Sequence, residues 1–371
     1  MNVLFIVTCI PFFPGGIVRA ERFFSFLEDI GIQYRWMNFN TPRVQRWLER
    51  LDLSWFGRHL LTDFIVRVFI HITGIPHRWI CLLKILWLAK KFDLIYFQAV
   101  LPPPWYMRLL ANRNHRIVFD YDDALYVRYE KRTRVIIQSS WKVIAGSHVL
   151  MEYAKQYSSD VIFIQGSVPI NKYSLRENNP EGSPLRIGWI GGVSTLKQLK
   201  ILDEPLKRLA QKGYHFEFII AGSKKLASPL AHCKDIPIID IPNYTDDEIP
   251  ALVKKFDIGV MPLFDTPIEQ GKCAFKTIIY MAGQLPIVCS PVGEAKFIVQ
   301  EGMNGFFAAT TEEWVVKLEE LLKDDKLRER LGKAGRKLVE EKYTEELTFQ
   351  ILNREIIQPV LTEKNNSVTN F

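Results

Sequence analysis

RIGWIGG (186–192) follows the polar, turn-rich NKYSLRENNPEGSPL (171–185), and its reading decides the fold. A short apolar run ending in a glycine pair, directly before a helical pattern at about 195–212, reads as a buried parallel strand feeding a helix. The same alternation runs upstream. VLFIV (3–7), IQYRWM (32–37), LIYFQAV (94–100), RIVFD (116–120), KVIAGS (142–147) and DVIFI (160–164) are strand candidates with helical patterns between them. It continues downstream through HFEFIIAG (215–222), IPIID (236–240), DIGVMPL (257–263), PIVCS (286–290) and GFFAA (305–309). This order predicts parallel sheets covered on both faces. The stretch 171–185 reads as a linker, so 186–192 opens a second sheet. The expectation is an α/β chain of two Rossmann-like, doubly wound domains facing a central cleft. These are an N-terminal domain over 1–170 and a C-terminal domain over 186–345. The remainder, 346–371, is expected to be a helix packing back toward the N-terminal domain, and a tail. Such sheets present ligand sites at the C-terminal ends of their strands.

Charge and tryptophan are concentrated at the front of the chain. Residues 1–116 hold 15 Lys and Arg against 7 Asp and Glu, and six of the nine tryptophans. Most of this lies in or near a helical insertion at 43–91, which the alternation does not explain. Basic residues among tryptophans suit nucleic acid or a membrane surface. No nucleic-acid module is recognisable, so nucleic acid is not expected as a partner, and a peripheral membrane contact through 43–91 is; packing within the domain or against a subunit is the alternative. The longest apolar region (63–91) is broken by Arg67, Gly74, Pro76, Arg78 and Lys84, short of the roughly 20 residues a spanning helix needs. Five scattered cysteines without a CxxC pair suit a reducing, cytosolic compartment. MNVLFIVTCI has no basic leader and reads as a first strand rather than a signal peptide.

GKCAFKTIIYMAG (271–283) places Lys272 and Lys276 at the mouth of an apolar helix. They form either a solvated first turn or an anion site at a helix N-terminus. The neighbouring residues favour the second. KCAFKTIIYMAGQLPIVCSPVGEAKFIVQEGMNGFFAA resembles the donor-binding segment of family 4 retaining glycosyltransferases of the GT-B fold, with matches at Met281, Ala282, Gly283, Pro286, Val292, Gly293, Glu301, Gly302, Asn304 and Gly305. The resemblance is strongest over 257–309 and covers roughly 1–25, 94–173 and 186–345. It implies transfer of a sugar from a nucleotide-diphosphate sugar to a glycan or lipid-linked acceptor, with no metal or other cofactor. On this basis the donor diphosphate is expected near Gly191, Gly192, Lys197 and the run Lys272, Cys273, Ala274, Phe275 and Lys276. Glu294 is expected either there or as the cap of the helix that follows it.

The family's pair of glutamates, seven residues apart, is not intact. Alignment on Met281–Gly283 puts Gly271 and Ile279 at those positions, with Glu269 two residues upstream. Glu269 is therefore the candidate for contacting the donor sugar. On the acceptor side the candidates are Gly15 and Gly16 in a loop, Arg19 behind them, Asp122 and Ser147. Asp120 lies near the place where the family often has a histidine beside the reacting centre. Asp120-Tyr121-Asp122 spells the DxD of metal-dependent GT-A enzymes, but such enzymes lack a second doubly wound half. The alternative to an enzyme is a binding or scaffold subunit with a degenerate donor site.

Overall fold

A computed structural model describes residues 1–8, 18–39, 76–174, 183–223 and 229–369. The chain forms two compact units. One comprises Met1–Gly146, Leu150–Ile164 and Phe349–Phe371; the other comprises Ser147–Val149 and Gln165–Thr348.

The first unit carries β1 (Asn2–Val7), β2 (Gln33–Asn38), β3 (Leu94–Gln98), β4 (Ile117–Tyr121), β5 (Lys142–Ala145) and β6 (Val161–Phe163). Their order across the sheet is β2-β1-β3-β4-β5-β6, and every pairing is parallel. The alternation of side chains along β1 shows why its sequence is apolar throughout. Leu4 and Ile6 enter one core with Ile85, Tyr106 and Ile136, while Val3, Phe5 and Val7 enter another with Phe23 and Leu27. A strand covered on both faces has no polar side to display. The second of these cores is completed by Phe349, Leu352, Ile356, Ile357 and Val360 from the end of the chain. There the Phe26 and Phe349 rings stack with centroids 4.9 Å apart.

The second unit carries β7 (Leu185–Ile190), β8 (Phe216–Ala221), β9 (Ile238–Ile241), β10 (Ile258–Met261), β11 (Ile287–Cys289) and β12 (Phe306–Phe307). Their order is β12-β11-β10-β7-β8-β9, again entirely parallel. Every strand candidate read from the sequence is present, and the two doubly wound sheets are as expected. The register sets Ile190 beside Ala221 and Met261 beside Cys289. The loops after β7, β8, β10 and β11 therefore leave one edge of the sheet together. The helix Thr311–Lys323 starts on a capping box in which Thr310 Oγ1 and the Glu313 side chain satisfy each other's backbone N–H groups.

Of the 43–91 insertion, 43–75 lies outside the described residues, as do Gly15 and Gly16. Residues 76–88 are a helix. Among the described residues no helix is long and apolar enough to cross a membrane.

Candidate functional site

The loops on that edge of the second unit are fixed by buried polar contacts. The Ile190 N–H donates to Tyr280 Oη at 2.9 Å, and the same hydroxyl donates to the Val260 carbonyl at 3.3 Å. One buried phenol thus ties the end of β7 to β10. Gly191 and Gly192 follow. Gly222, at the end of β8, has φ +97°, and a Cβ there would lie 1.9 Å from the Gly191 carbonyl oxygen. Only glycine lets these two loops run so close. Gly192 is exposed, with no atom within 4 Å of the position a Cβ would take.

Glu269 is buried at 6% exposure. Gln198 Nε2 donates to its Oε1 at 2.7 Å, and Thr266 Oγ1 donates to its Oε2. Gln198 is itself buried, and its Oε1 accepts from the Phe264 N–H at 2.7 Å. The amide therefore braces the carboxylate against the loop after β10. Among the described residues no Lys, Arg or His forms an ion pair with Glu269. A buried carboxylate held by neutral donors alone still has lone pairs to offer, and burial makes further donors favourable. The sequence reading did not single out Gln198, and LKQLK gives no sign that this amide turns inward.

Lys272 and Lys276 flank the turn into the helix Phe275–Ala282, and both are half-buried. Ala274 precedes the helix with φ +50°, the left-handed region that a residue with a Cβ enters only when its surroundings hold it there. Two of the turn's carbonyls are gripped from outside. Ser147 Oγ donates to Gly271 O at 3.0 Å, and Gln165 Nε2 donates to Cys273 O at 3.3 Å. Ser147, expected on the acceptor side, thus braces the lysine turn. Lys276 Nζ lies 5.5 Å from the centroid of the Trp189 ring, within cation–π range. Lys197 is exposed. Ile279 is buried in the apolar cluster with Ile190 and Met261, so this turn of the helix offers no carboxylate to a ribose.

Glu294 is buried. It occupies the cap position of the short helix Ala295–Ile298 without a side-chain cap bond. Its carboxylate accepts instead from the His148 backbone N–H at 2.8 Å and from His148 Nδ1 at 2.9 Å. Since a carboxylate only accepts, Nδ1 carries the proton. The His148 ring stacks on Phe297 with centroids 4.0 Å apart. Burial raises the Glu294 pKa, and the contacts from His148 pull against it. Neighbouring Gly293 has φ +56°, and a Cβ there would lie 2.7 Å from the Gln270 carbonyl oxygen. Its N–H donates to Gln270 Oε1 at 3.1 Å.

In the first unit, Arg19 and Asp120 form a buried ion pair. Arg19 Nε donates to Asp120 Oδ1 at 2.8 Å, Nη2 bonds the same oxygen, and Nη1 donates to the Ile164 carbonyl at 2.9 Å. Tyr96 Oη donates to Asp120 Oδ2 at 2.6 Å. Arg19 is 3% exposed and Asp120 1%. Arg19 and Asp120, expected at the acceptor and at the reacting centre, thus satisfy each other inside the first unit.

Asp122, another acceptor-side candidate, is half-buried after β4. Burial, then the Asp123 carboxylate, push its pKa up to about 7, while Arg19 pulls it down. The folded chain keeps this proton to about pH 7, whereas the unfolded chain releases it near pH 4. Folding stability therefore falls as pH rises through that window and is unaffected by this group below it. Asp122→Asn is expected to raise stability at pH 8 by on the order of 2 kcal/mol and to leave it unchanged at about pH 3. Urea unfolding midpoints at the two pH values check this; an equal change at both removes the shifted carboxyl.

Residues 184–324 match the family model described as "Glycosyl transferases group 1". The chain is 26% identical over 180 residues to the capsular polysaccharide biosynthesis glycosyltransferase CapM of Staphylococcus aureus, an alignment covering 45% of this chain and 44% of that one. The chain thus spans less than half the length of this relative. Two solved structures share the fold over nearly the whole chain, each at 15% identity. A glycosyltransferase from Rickettsia africae has a TM-score of 0.68, with 97% of this chain and 98% of that one covered. HepE of Anabaena, in complex with UDP and glucose, has a TM-score of 0.65, with 97% and 99% covered. The chain has the GT-B fold, and the group 1 glycosyltransferase signature lies in the unit that holds Glu269 and the lysine turn.

Proposed function

We propose that the chain transfers a sugar, with retention of configuration, from a nucleoside-diphosphate sugar bound by the second unit to an acceptor glycan. The acceptor is lipid-linked or membrane-proximal, and the reaction runs at the cytoplasmic face of the membrane. The observation that carries this reading is Glu269, a buried carboxylate braced by Gln198 and Thr266 with no cationic partner among the described residues. Sugar hydroxyls are neutral donors suited to complete its shell. As the bond from the anomeric carbon to the diphosphate breaks, negative charge grows on the leaving oxygens. Lys272, Lys276 and the N-terminal end of the helix Phe275–Ala282 stabilise that charge. This chemistry needs no metal. The UDP and glucose of HepE and the glycosyltransferase names among the relatives support the donor class, and the resemblance over 257–309 supports retention.

A nucleoside diphosphate is expected to raise the melting temperature of the chain, and one UDP- or GDP-sugar to be turned over. Lys272→Ala with Lys276→Ala is expected to weaken nucleoside-diphosphate binding by about 10- to 100-fold while leaving the ligand-free melting temperature unchanged. Unaltered affinity removes the phosphate assignment. The core position of Ile279 favours a second reading, a sugar-nucleotide-binding subunit without catalysis. Tight donor binding without turnover or hydrolysis in any acceptor mixture identifies that case.

A further inference from the structure

The helix 76–88 is apolar on two faces. Cys81, Leu82, Ile85 and Leu88 are buried in the first unit's core. Trp79, Ile80, Leu83 and Trp87 are 50%, 51%, 64% and 66% exposed on the opposite side. Their spacing makes one outward stripe. The adjacent helix Pro104–Ala111 extends it with Trp105 and Leu109, also exposed. The two helices are joined, since Trp79 stacks on Trp105 with centroids 6.0 Å apart and Tyr106 Oη donates to the Leu82 carbonyl at 2.7 Å.

The two helices themselves carry charge of one sign. Neither 76–92 nor 101–119 contains an aspartate or glutamate, while Arg78, Lys84, Lys90, Lys91, Arg108 and Arg113 lie within them. Lys91 Nζ sits 3.6 Å above the Trp87 ring. We propose that this face docks on an anionic lipid bilayer, with the tryptophans at headgroup depth and the cations against lipid phosphates. A second copy of the chain fits poorly, because a two-fold contact would set these cations against themselves. Residues 40–75 fit no better: with five arginines against three acids, that segment is itself net positive. Exposed leucine and isoleucine have no counterpart on a nucleic-acid backbone. The inference is independent of the donor-site reading.

Co-sedimentation of the full chain with vesicles tests it. Binding is expected to vesicles of phosphatidylcholine doped with phosphatidylglycerol, and much less to phosphatidylcholine alone. Lys84→Glu with Lys90→Glu and Lys91→Glu is expected to lower partitioning by at least about 100-fold, and Trp79→Ala with Trp87→Ala and Trp105→Ala by on the order of tenfold. Both variants should keep the circular dichroism and melting temperature of the parent. Failure of the parent chain to bind doped vesicles overturns the proposal, as does undiminished binding by both variants. A lipid-free dimer that the tryptophan variant dissolves reassigns the face to a subunit contact.

Discussion

Replacing Arg19 by methionine is expected to lower the stability of the first unit by about 3–5 kcal/mol. Methionine fills much of the volume of the arginine stem, so the loss is electrostatic rather than a cavity. Asp120 would keep its bond from Tyr96 and lose two charge-assisted bonds from Arg19. At 1% exposure it cannot recover them from water. The Ile164 carbonyl would also lose its donor. Adding Asp120→Asn to Arg19→Met removes the stranded charge while keeping an acceptor for Tyr96, and should restore a large part of the loss. A urea-unfolding cycle over the two single variants and the double variant checks this through a coupling energy of roughly 2 kcal/mol or more. If Arg19 instead served an acceptor, its replacement would leave the unfolding midpoint in place and raise only KM.

The strands were legible because each is an apolar run of strand length between turn residues, and burial on both faces permits nothing else. The edge at which the strand-end loops gather followed from parallel order alone. The partners of the polar residues did not follow. Glu294 and His148 stand 146 positions apart, and a glutamate before a short helix reads locally as a cap. Asp120 and Arg19 are 101 apart, and each alone looks like a cleft-facing charge. Local pattern reports whether a polar residue sits near a strand end; it carries no information on which distant group satisfies it. Gln198 is the same problem with a neutral side chain. The tryptophans of 76–88 were readable as an aromatic, basic helix, but only the packing of Leu82 and Ile85 shows which side faces outward.

Replacing Glu269 by glutamine is expected to lower kcat by roughly 100-fold or more, with little change in melting temperature. The substitution keeps the shape and an acceptor for the Gln198 amide, while the Thr266 hydroxyl can rotate to accept. What disappears is the negative charge and one of two accepting oxygens, which on the proposed reading serve the donor sugar as its ring gains positive character. Gln198→Leu, by contrast, leaves the carboxylate in place without its brace. It also strips the acceptor from the Phe264 N–H, so a loss of about 1–2 kcal/mol in stability accompanies a roughly tenfold lower kcat. Since Gln198 reaches the reaction only through Glu269, the two effects on kcat should not add. The double variant should turn over no more slowly than Glu269→Gln alone, in the manner of residues acting as one unit. Losses that multiply would mean that Gln198 meets the donor by itself. An unchanged kcat in Glu269→Gln would remove the carboxylate from the reaction while leaving the lysine turn, tested by nucleoside-diphosphate affinity, untouched.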